Sequence, residues 1–194
     1  VSSGNSVRMV DEAKKRGLPV TCEATPHHMA LTDAEMLPYD SNFKMKPPLR
    51  TGCDTGAILD AIAAGVVDAI ATDHAPHTGS IKMQEFELCP FGITGLETAL
   101  GLSLEKLVHS GRIPLAHLVK LFTTGPAGIL GLDRGTLAVG APADLTIFST
   151  EREWTFDANQ SQSKSRNTPF HGRRFRGGPA VTIVAGRRAW EAQL

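Results

Sequence analysis

Hydrophobic residues in the first 130 positions follow two patterns, one typical of helices and the other of buried strands. Apolar side chains recur at helical spacing over residues 7–16 and 54–64, and a glycine follows each of these runs. Residues 18–25 and 67–73 are short stretches of the kind found in strands that are buried on both faces. The order of strand, helix and strand predicts βαβ architecture with a parallel sheet.

The pattern changes near Gly131. Helical spacing continues to residue 122, but no further parallel strand follows it. Beyond Gly131 the sequence predicts turns and strands, including a tight hairpin across Ala185-Gly186. We therefore expect an α/β fold with two parts, residues 1–130 and residues 131–194.

The composition excludes several classes of protein. With 41% hydrophobic and 21% charged residues, the 194-residue chain has the profile of an ordinary globular protein. Its 20 basic and 20 acidic residues balance, so charge does not indicate nucleic acid or an anionic membrane surface as a partner. No apolar run approaches the ~20 residues of a membrane span, and we expect no secretory signal peptide. Cys22, Cys53 and Cys89 lack the spacing of a disulfide or zinc framework, which predicts reduced thiols in a cytoplasmic protein.

Polar residues with catalytic potential follow the second buried strand directly. Asp73, His74 and His77 stand together where that strand ends, and a proline between the histidines restrains the turn. Barrel enzymes place their chemistry at this end of a parallel strand. Asp-His alone would fit a polar exit turn, but a carboxylate and two histidines within five residues favour a functional site. Two long connections, residues 29–50 and 78–91, flank the strand, and the second predicts a mobile loop over the site.

Six sequence blocks, in this order, resemble those of bacterial class I dihydroorotases in the cyclic amidohydrolase family. They cover nearly the whole chain, and the resemblance is most specific between residues 20 and 98. The blocks are Val1-Ser-Ser, Glu23-Ala-Thr-Pro-His-His28, Asn42-Phe-Lys-Met-Lys-Pro-Pro-Leu-Arg50, Asp73-His-Ala-Pro-His77, Pro90-Phe-Gly-Ile-Thr-Gly-Leu-Glu-Thr98 and Asn167-Thr-Pro-Phe170.

The resemblance implies both a fold and a reaction. Residues 1–130 would form the carboxyl-terminal part of a (β/α)8 TIM barrel, and residues 131–194 part of a small β-sandwich domain. The reaction would be the reversible interconversion of dihydroorotate and N-carbamoyl-L-aspartate in de novo pyrimidine synthesis. One or two zinc ions would ionise the attacking water and polarise the carbonyl.

The resemblance also assigns roles to five positions. Asp73 is expected to bind metal and to act as general acid/base, moving a proton from water to the leaving nitrogen. His77 is expected to hydrogen-bond the substrate, and Phe91 and Gly92 to contact it through backbone groups. Lys46 stands where the class I pattern usually has Asn; it offers three donors and a charge but no acceptor. It would therefore pair with a substrate carboxylate or point to solvent.

The other histidines of these blocks receive supporting roles. His27 and His28 are metal ligands by residue type, but the resemblance gives them no ligand role and implies packing or supporting positions. His74 is expected to support the end of the strand. Structural roles remain the alternative for two of the substrate contacts: His77 as the cap of a turn, and Gly92 as an ordinary turn residue.

Most of the metal ligands that the resemblance implies are absent from the sequence. No His-x-His pair occurs in the chain, and of the expected ligands only Asp73 is present. The others would lie upstream of Val1. We therefore expect the chain to be the carboxyl-terminal part of a longer enzyme, inactive without its amino-terminal part.

Two alternative functions remain open at this point. One is another cyclic amidohydrolase, such as an allantoinase or a hydantoinase. The other is a non-catalytic dihydroorotase-like subunit that scaffolds aspartate transcarbamoylase, a reading that the lysine at position 46 leaves open. A homo-oligomer is compatible with either.

Overall fold

The computed structural model describes residues 1–192. The chain forms a π-helix from Leu104 to His109 and short 3₁₀ helices at Asp33–Met36, Ser41–Phe43 and Ala158–Gln160. The helices and strands are α1 (Gly4–Lys15), β1 (Glu23–Ala24), α2 (Pro26–Ala30), α3 (Gly52–Ala63), β2 (Ala69–Ile70), α4 (Gly79–Lys82), α5 (Ala99–Ser103), α6 (Leu115–Phe122), α7 (Thr124–Leu130), β3 (Leu145–Thr155), β4 (Arg174–Val184) and β5 (Arg187–Glu191).

Strands β1 and β2 form the parallel pair that the order of strands and helices predicts. Glu23 pairs with Ala69 and Ala24 with Ile70. Both strands are shorter than the sequence predicts, because a strand is defined by hydrogen bonds to its neighbours. Within residues 1–192, each of the two pairs with one strand only.

The helices predicted on either side of β1 are present and well capped. The Ser3 hydroxyl accepts a hydrogen bond from the Ser6 N–H at the start of α1, and the Thr51 hydroxyl does the same for Asp54 in α3. These helices contribute to a core with β1, β2, the π-helix and α6. Its buried members include Val7, Ile58, Ile62, Val67, Leu104, Leu107 and Leu118.

The downstream part contains an antiparallel sheet in the order β3-β4-β5. The predicted hairpin is confirmed, since Ala185 and Gly186, both at positive φ, join β4 to β5. A second buried cluster ties this part to the helical part: Phe175 of β4 packs so closely on Gly101 of α5 that a Cβ there would lie 2.8 Å from the ring. The predicted boundary between residues 130 and 131 stays a prediction. In the part of the chain that the structure describes, no helix is long and apolar enough to cross a membrane.

Candidate active site

Asp73 lies just beyond the carboxyl end of β2, in a conformation that is unusual for a residue with a side chain. Its φ is +50°, in the left-handed region that few non-glycine residues adopt. Its side chain is 44% exposed. Among residues 1–192 the carboxylate has no hydrogen-bond donor, so its lone pairs are free for a metal ion, water or substrate.

His27 lies beneath this carboxylate but does not form an ion pair with it. Its Nε2 atom is 4.0 Å from Asp73 Oδ2, which is too far for a hydrogen bond. Burial, with a smaller contribution from the neighbouring His28, lowers the pKa of His27 from 6.5 to about 3, so the ring is neutral at physiological pH. Within the described chain the buried Nε2 atom has no partner.

His28 is a structural residue with both ring nitrogens occupied. Its Nε2 atom is 3.0 Å from the Pro47 carbonyl, which accepts only, so this nitrogen carries the proton. The Nδ1 atom then accepts from the Thr25 hydroxyl at 2.6 Å. Through these bonds His28 holds the residue that follows Lys46.

His74 supports the end of the strand, as its position predicts. It forms an isolated parallel bridge with Ile93, and its Nδ1 atom accepts a hydrogen bond from the Gly95 N–H at 3.1 Å. A Cβ at Gly95 would lie 2.7 Å from the carbonyl oxygen of Thr72. This close approach brings the segment after Phe91 alongside the exit of β2.

The predicted substrate contacts His77, Phe91 and Gly92 are brought together. His77 Nε2 lies 2.9 Å from the Phe91 carbonyl oxygen. This nitrogen must therefore be the donor, and in the neutral ring Nδ1 is left as an acceptor. Gly92 has φ +106°, and a Cβ there would lie 2.4 Å from the Cβ of Ala75, so the turn requires glycine.

The backbone groups of Phe91 and Gly92 differ in availability. The Gly92 N–H donates to the Lys44 carbonyl at 2.9 Å, and the Gly92 carbonyl accepts from Lys82 and Asn167. The Phe91 N–H has no acceptor among residues 1–192. Phe91 therefore supplies the free backbone donor of this turn.

Two buried lysines fix the segment from 78 to 92. Lys44 Nζ donates to the carbonyls of Phe86 and Glu87 at 2.6 and 2.9 Å. Lys82 Nζ donates to the carbonyls of Pro90 and Gly92, each at 3.1 Å; burial lowers the pKa of Lys82. The segment contains helix α4 and these hydrogen bonds, and the mobility that the sequence predicts for it stays a prediction.

Lys46 lies at the edge of the same group of residues. Its side chain is exposed, and its Nζ is 5.8 Å from the centre of the Phe91 ring. The ammonium group therefore lies beside the turn that carries the free Phe91 N–H. Its role stays a prediction, as do those of Asp73, His77, Phe91 and Gly92.

Comparison with known proteins assigns the chain to a family. The family model described as "Amidohydrolase family" matches residues 4–189. The chain belongs to the amidohydrolase family.

Relatives of this amidohydrolase include curated proteins named dihydroorotase. It is 61% identical over 193 residues to the dihydroorotase of Solibacter usitatus, and 48% identical over 192 residues to that of Geobacter sp. strain M21. These alignments cover 100% and 99% of this chain but 45% of each relative. The chain therefore spans less than half the length of the curated relatives it matches.

Solved structures support the same fold. The D-hydantoinase (dihydropyrimidinase) from Thermus sp. superimposes with a TM-score of 0.91 at 27% identity, covering 98% of this chain and 43% of the other. The L-hydantoinase (dihydropyrimidinase) from Arthrobacter aurescens gives a TM-score of 0.91 at 29% identity, with 98% and 44% covered. The predicted fold class, part of an α/β barrel of the amidohydrolase type, is confirmed.

The residues of this amidohydrolase chain fit a metal site only in part. Asp73 offers an unpaired carboxylate, and His27 a neutral imidazole with a free Nε2 atom. A catalytic zinc ion takes about three protein ligands. Within residues 1–192, no group of three or more His, Cys, Asp or Glu side chains is placed to hold a metal ion.

Proposed function

We propose that this chain acts in a zinc-dependent dihydroorotase, which interconverts dihydroorotate and N-carbamoyl-L-aspartate in pyrimidine synthesis. The observation that carries the proposal is the unpaired Asp73 carboxylate, held at positive φ four residues before His77, whose ring donates to the Phe91 carbonyl. Strained conformations of this kind cluster at functional sites. The identity of 61% to a protein named dihydroorotase favours this substrate. The free thiols of Cys22, Cys53 and Cys89 suit a cytoplasmic enzyme.

Asp73 would act as a metal ligand and as the proton carrier. Zinc, when bound, supplies the Lewis acidity that activates water and polarises the carbonyl group. The second oxygen of Asp73 has no competing donor in the described chain, so it is free to take the proton of the attacking water. Ring opening requires protonation of the leaving nitrogen, and the same oxygen would deliver that proton.

His77, Phe91 and Lys46 would bind the substrate. The Phe91 N–H is a free donor for a substrate carbonyl or carboxylate oxygen, and His77 Nδ1 is a free acceptor for a ring N–H. Lys46 adds a positive charge next to Phe91, suited to the carboxylate that dihydroorotate carries. A substrate contact through Gly92 would have to replace one of its present hydrogen bonds, so we assign Gly92 chiefly to the shape of the turn.

Turnover assays on the full-length protein test the proposal. We expect zinc-dependent turnover of dihydroorotate and of N-carbamoyl-L-aspartate, and little turnover of hydantoin. Hydantoin turnover that exceeds dihydroorotate turnover would support a hydantoinase instead, the activity named for the similar solved structures. A full-length protein that binds zinc but turns over neither substrate would support a scaffolding subunit.

The proposal requires metal ligands from outside this chain. We therefore predict that residues 1–194, expressed alone, bind less than one equivalent of zinc and show no dihydroorotase activity. Mixing them with the remainder of the protein should restore both, because the two parts would bury each other's apolar surface. Metal analysis and a turnover assay before and after mixing check this. One equivalent of zinc in the isolated chain would show that histidines such as His27, to which we assign no ligand role, do bind the metal.

A further inference from the structure

The side chain of Asn167 connects the two turns that carry the proposed substrate-binding residues His77 and Phe91, which together form the substrate side of the site. Asn167 is 5% exposed. Its Oδ1 atom accepts a hydrogen bond from the His77 N–H at 3.1 Å. Its Nδ2 atom donates to the carbonyl of Ala75 at 2.9 Å and to that of Gly92 at 3.2 Å. One buried amide thus contacts both the turn after β2 and the turn at Phe91.

The orientation of this amide is determined by its partners. The His77 backbone nitrogen can only donate, and the carbonyls of Ala75 and Gly92 can only accept. A flipped amide would lose all three bonds. The amide is therefore specific for this pair of turns, and both of its Nδ2 protons are used.

Asn167 is itself held in place by its own backbone. Its carbonyl accepts from the Thr94 N–H at 2.9 Å and lies 3.5 Å from the Thr94 hydroxyl. Three residues later, the Phe170 side chain is 2% exposed in the second core cluster. The segment that carries Asn167 is thus held by contacts of its own, independent of those it makes to the site. Asn167 is 90 residues from His77 in the sequence.

We propose that Asn167 is a positioning residue that fixes the distance between His77 and Phe91. Its side chain bonds to the backbone of His77 and of Gly92, while the His77 ring bonds to the Phe91 carbonyl. These bonds close a ring that sets where the free His77 Nδ1 and the free Phe91 N–H point. The inference rests on the proposed function, in which these two groups bind one substrate.

Two substitutions and a matched control test the role. Asn167→Ala removes all three side-chain bonds. Asn167→Asp keeps an acceptor for the His77 N–H but replaces the donor to Ala75 and Gly92 with an oxygen that repels their carbonyls. Asn159→Asp makes the same chemical change at an exposed asparagine of the same segment, whose side chain has no bond to another described residue.

We expect Asn167→Ala, in the full-length enzyme, to raise KM for dihydroorotate by ~10–100-fold, because it would weaken the two hydrogen bonds by which His77 and Phe91 hold the substrate. The kcat should change by less than about 3-fold and the zinc content not at all, since Asn167 does not touch Asp73. Asn167→Asp should raise KM at least as much as Ala does, because it places an oxygen against the carbonyls of Ala75 and Gly92 in a buried position. Asn159→Asp should leave both constants unchanged. An unchanged KM in Asn167→Ala, or a loss confined to kcat and zinc content, would overturn the inference.

Hydrogen–deuterium exchange separates this inference from the proposed function. The His77 amide should exchange faster in Asn167→Ala and remain protected in Asn167→Asp, which keeps its acceptor. This readout requires no turnover, so it applies even if the wild-type protein does not act on dihydroorotate. If Asn167→Ala fails to fold, the Gly92 amide of Asn167→Asp decides: its hydrogen bond to the Lys44 carbonyl should weaken, and the amide should exchange faster than in the wild type. Wild-type exchange of the His77 amide in folded Asn167→Ala, or of the Gly92 amide in folded Asn167→Asp, would refute the positioning role.

Discussion

Replacement of Asp73 by asparagine in the full-length protein should abolish turnover in both directions while leaving the fold intact. Asparagine is the substitution of choice because it shares with aspartate the tolerance of positive φ, and Asp73 has φ +50°. The carboxylate is 44% exposed and accepts no hydrogen bond from residues 1–192. We therefore expect the free energy of unfolding of the metal-free protein to change by less than ~0.5 kcal/mol.

The expected kinetic effect follows from the loss of proton transfer. An amide can neither take a proton from water nor deliver one to a leaving nitrogen, and the loss of a general acid/base costs ~10²–10⁴-fold in rate. This corresponds to ~3–5 kcal/mol of barrier. The neutral His27, whose Nε2 lies 4.0 Å from Asp73 Oδ2, is no substitute, because its lowered pKa makes it a poor base. Loss of a metal ligand should add to the effect.

The assay is steady-state turnover of dihydroorotate and of N-carbamoyl-L-aspartate, with thermal unfolding and zinc content measured on the same preparations. Asp133→Asn is the matched control, because Asp133 is exposed in the segment after α7 and lies outside the proposed site. The control should retain wild-type rates. If Asp73→Asn retained more than a tenth of the wild-type rate, the role assigned to Asp73 would be wrong.

Three further predictions concern Lys46, Gly92 and the ion pair between Glu105 and Arg173. Lys46→Asn should preserve or improve kcat/KM for dihydroorotate if the class I pattern governs the site; a steep rise in KM would instead show that the ammonium group binds a substrate carboxylate. Gly92→Ala should lower Tm and raise KM together, because the new Cβ would lie 2.4 Å from that of Ala75 at a position of positive φ. The control Gly111→Ala also has positive φ but has open space around the new Cβ, so it should lower Tm less. Equal losses of Tm would contradict the steric argument. Burial raises the pKa of Glu105, but the hydrogen bonds and positive charges of Arg173 and Lys106 together outweigh it and hold the pKa below its usual value of 4.5. The folded state thus favours the ionised form, so Glu105 should stabilise the protein above pH ~4.5 and lose this effect as pH falls through the lowered pKa. Urea unfolding at pH 7 and pH 4 should show a smaller pH dependence for Glu105→Gln, and an equal dependence would refute this.

The part of the fold that the sequence predicts best is the part with local signals. The helices α1 and α3 have apolar residues at helical spacing and a hydroxyl cap, and the hairpin at Ala185-Gly186 has its turn residues. The hydrogen bonds of the segment from 78 to 92 were not predicted. The segment is held by Lys82 and Lys44, whose ammonium groups bond to backbone carbonyls, and a buried lysine has no signature that distinguishes it in sequence from an exposed one.

The candidate site divides in the same way. Asp73 and His77 stand together in the sequence directly after a short apolar run that predicts a buried strand. The position of these polar residues at the end of the run identifies them. Asn167 was found only as part of a block of resemblance, because its bonds to Ala75 and Gly92 span 92 and 75 residues. No spacing rule detects a residue whose role depends on tertiary contacts at such separations.

The hydrogen bonding of the two sides of the site differs in a way that suits their proposed tasks. The Asp73 carboxylate has no donor in the described chain, as a metal ligand and proton carrier requires, because a lone pair used in a permanent hydrogen bond is unavailable to either. His77 and the Phe91–Gly92 turn are instead held by Asn167, Lys44 and Lys82, as groups that bind a substrate in one orientation require. Substitutions among the residues that hold the substrate side should therefore act mainly on KM, and substitutions at Asp73 mainly on kcat. A variant of Lys82 or Asn167 that lowered kcat at unchanged KM would contradict this division of roles.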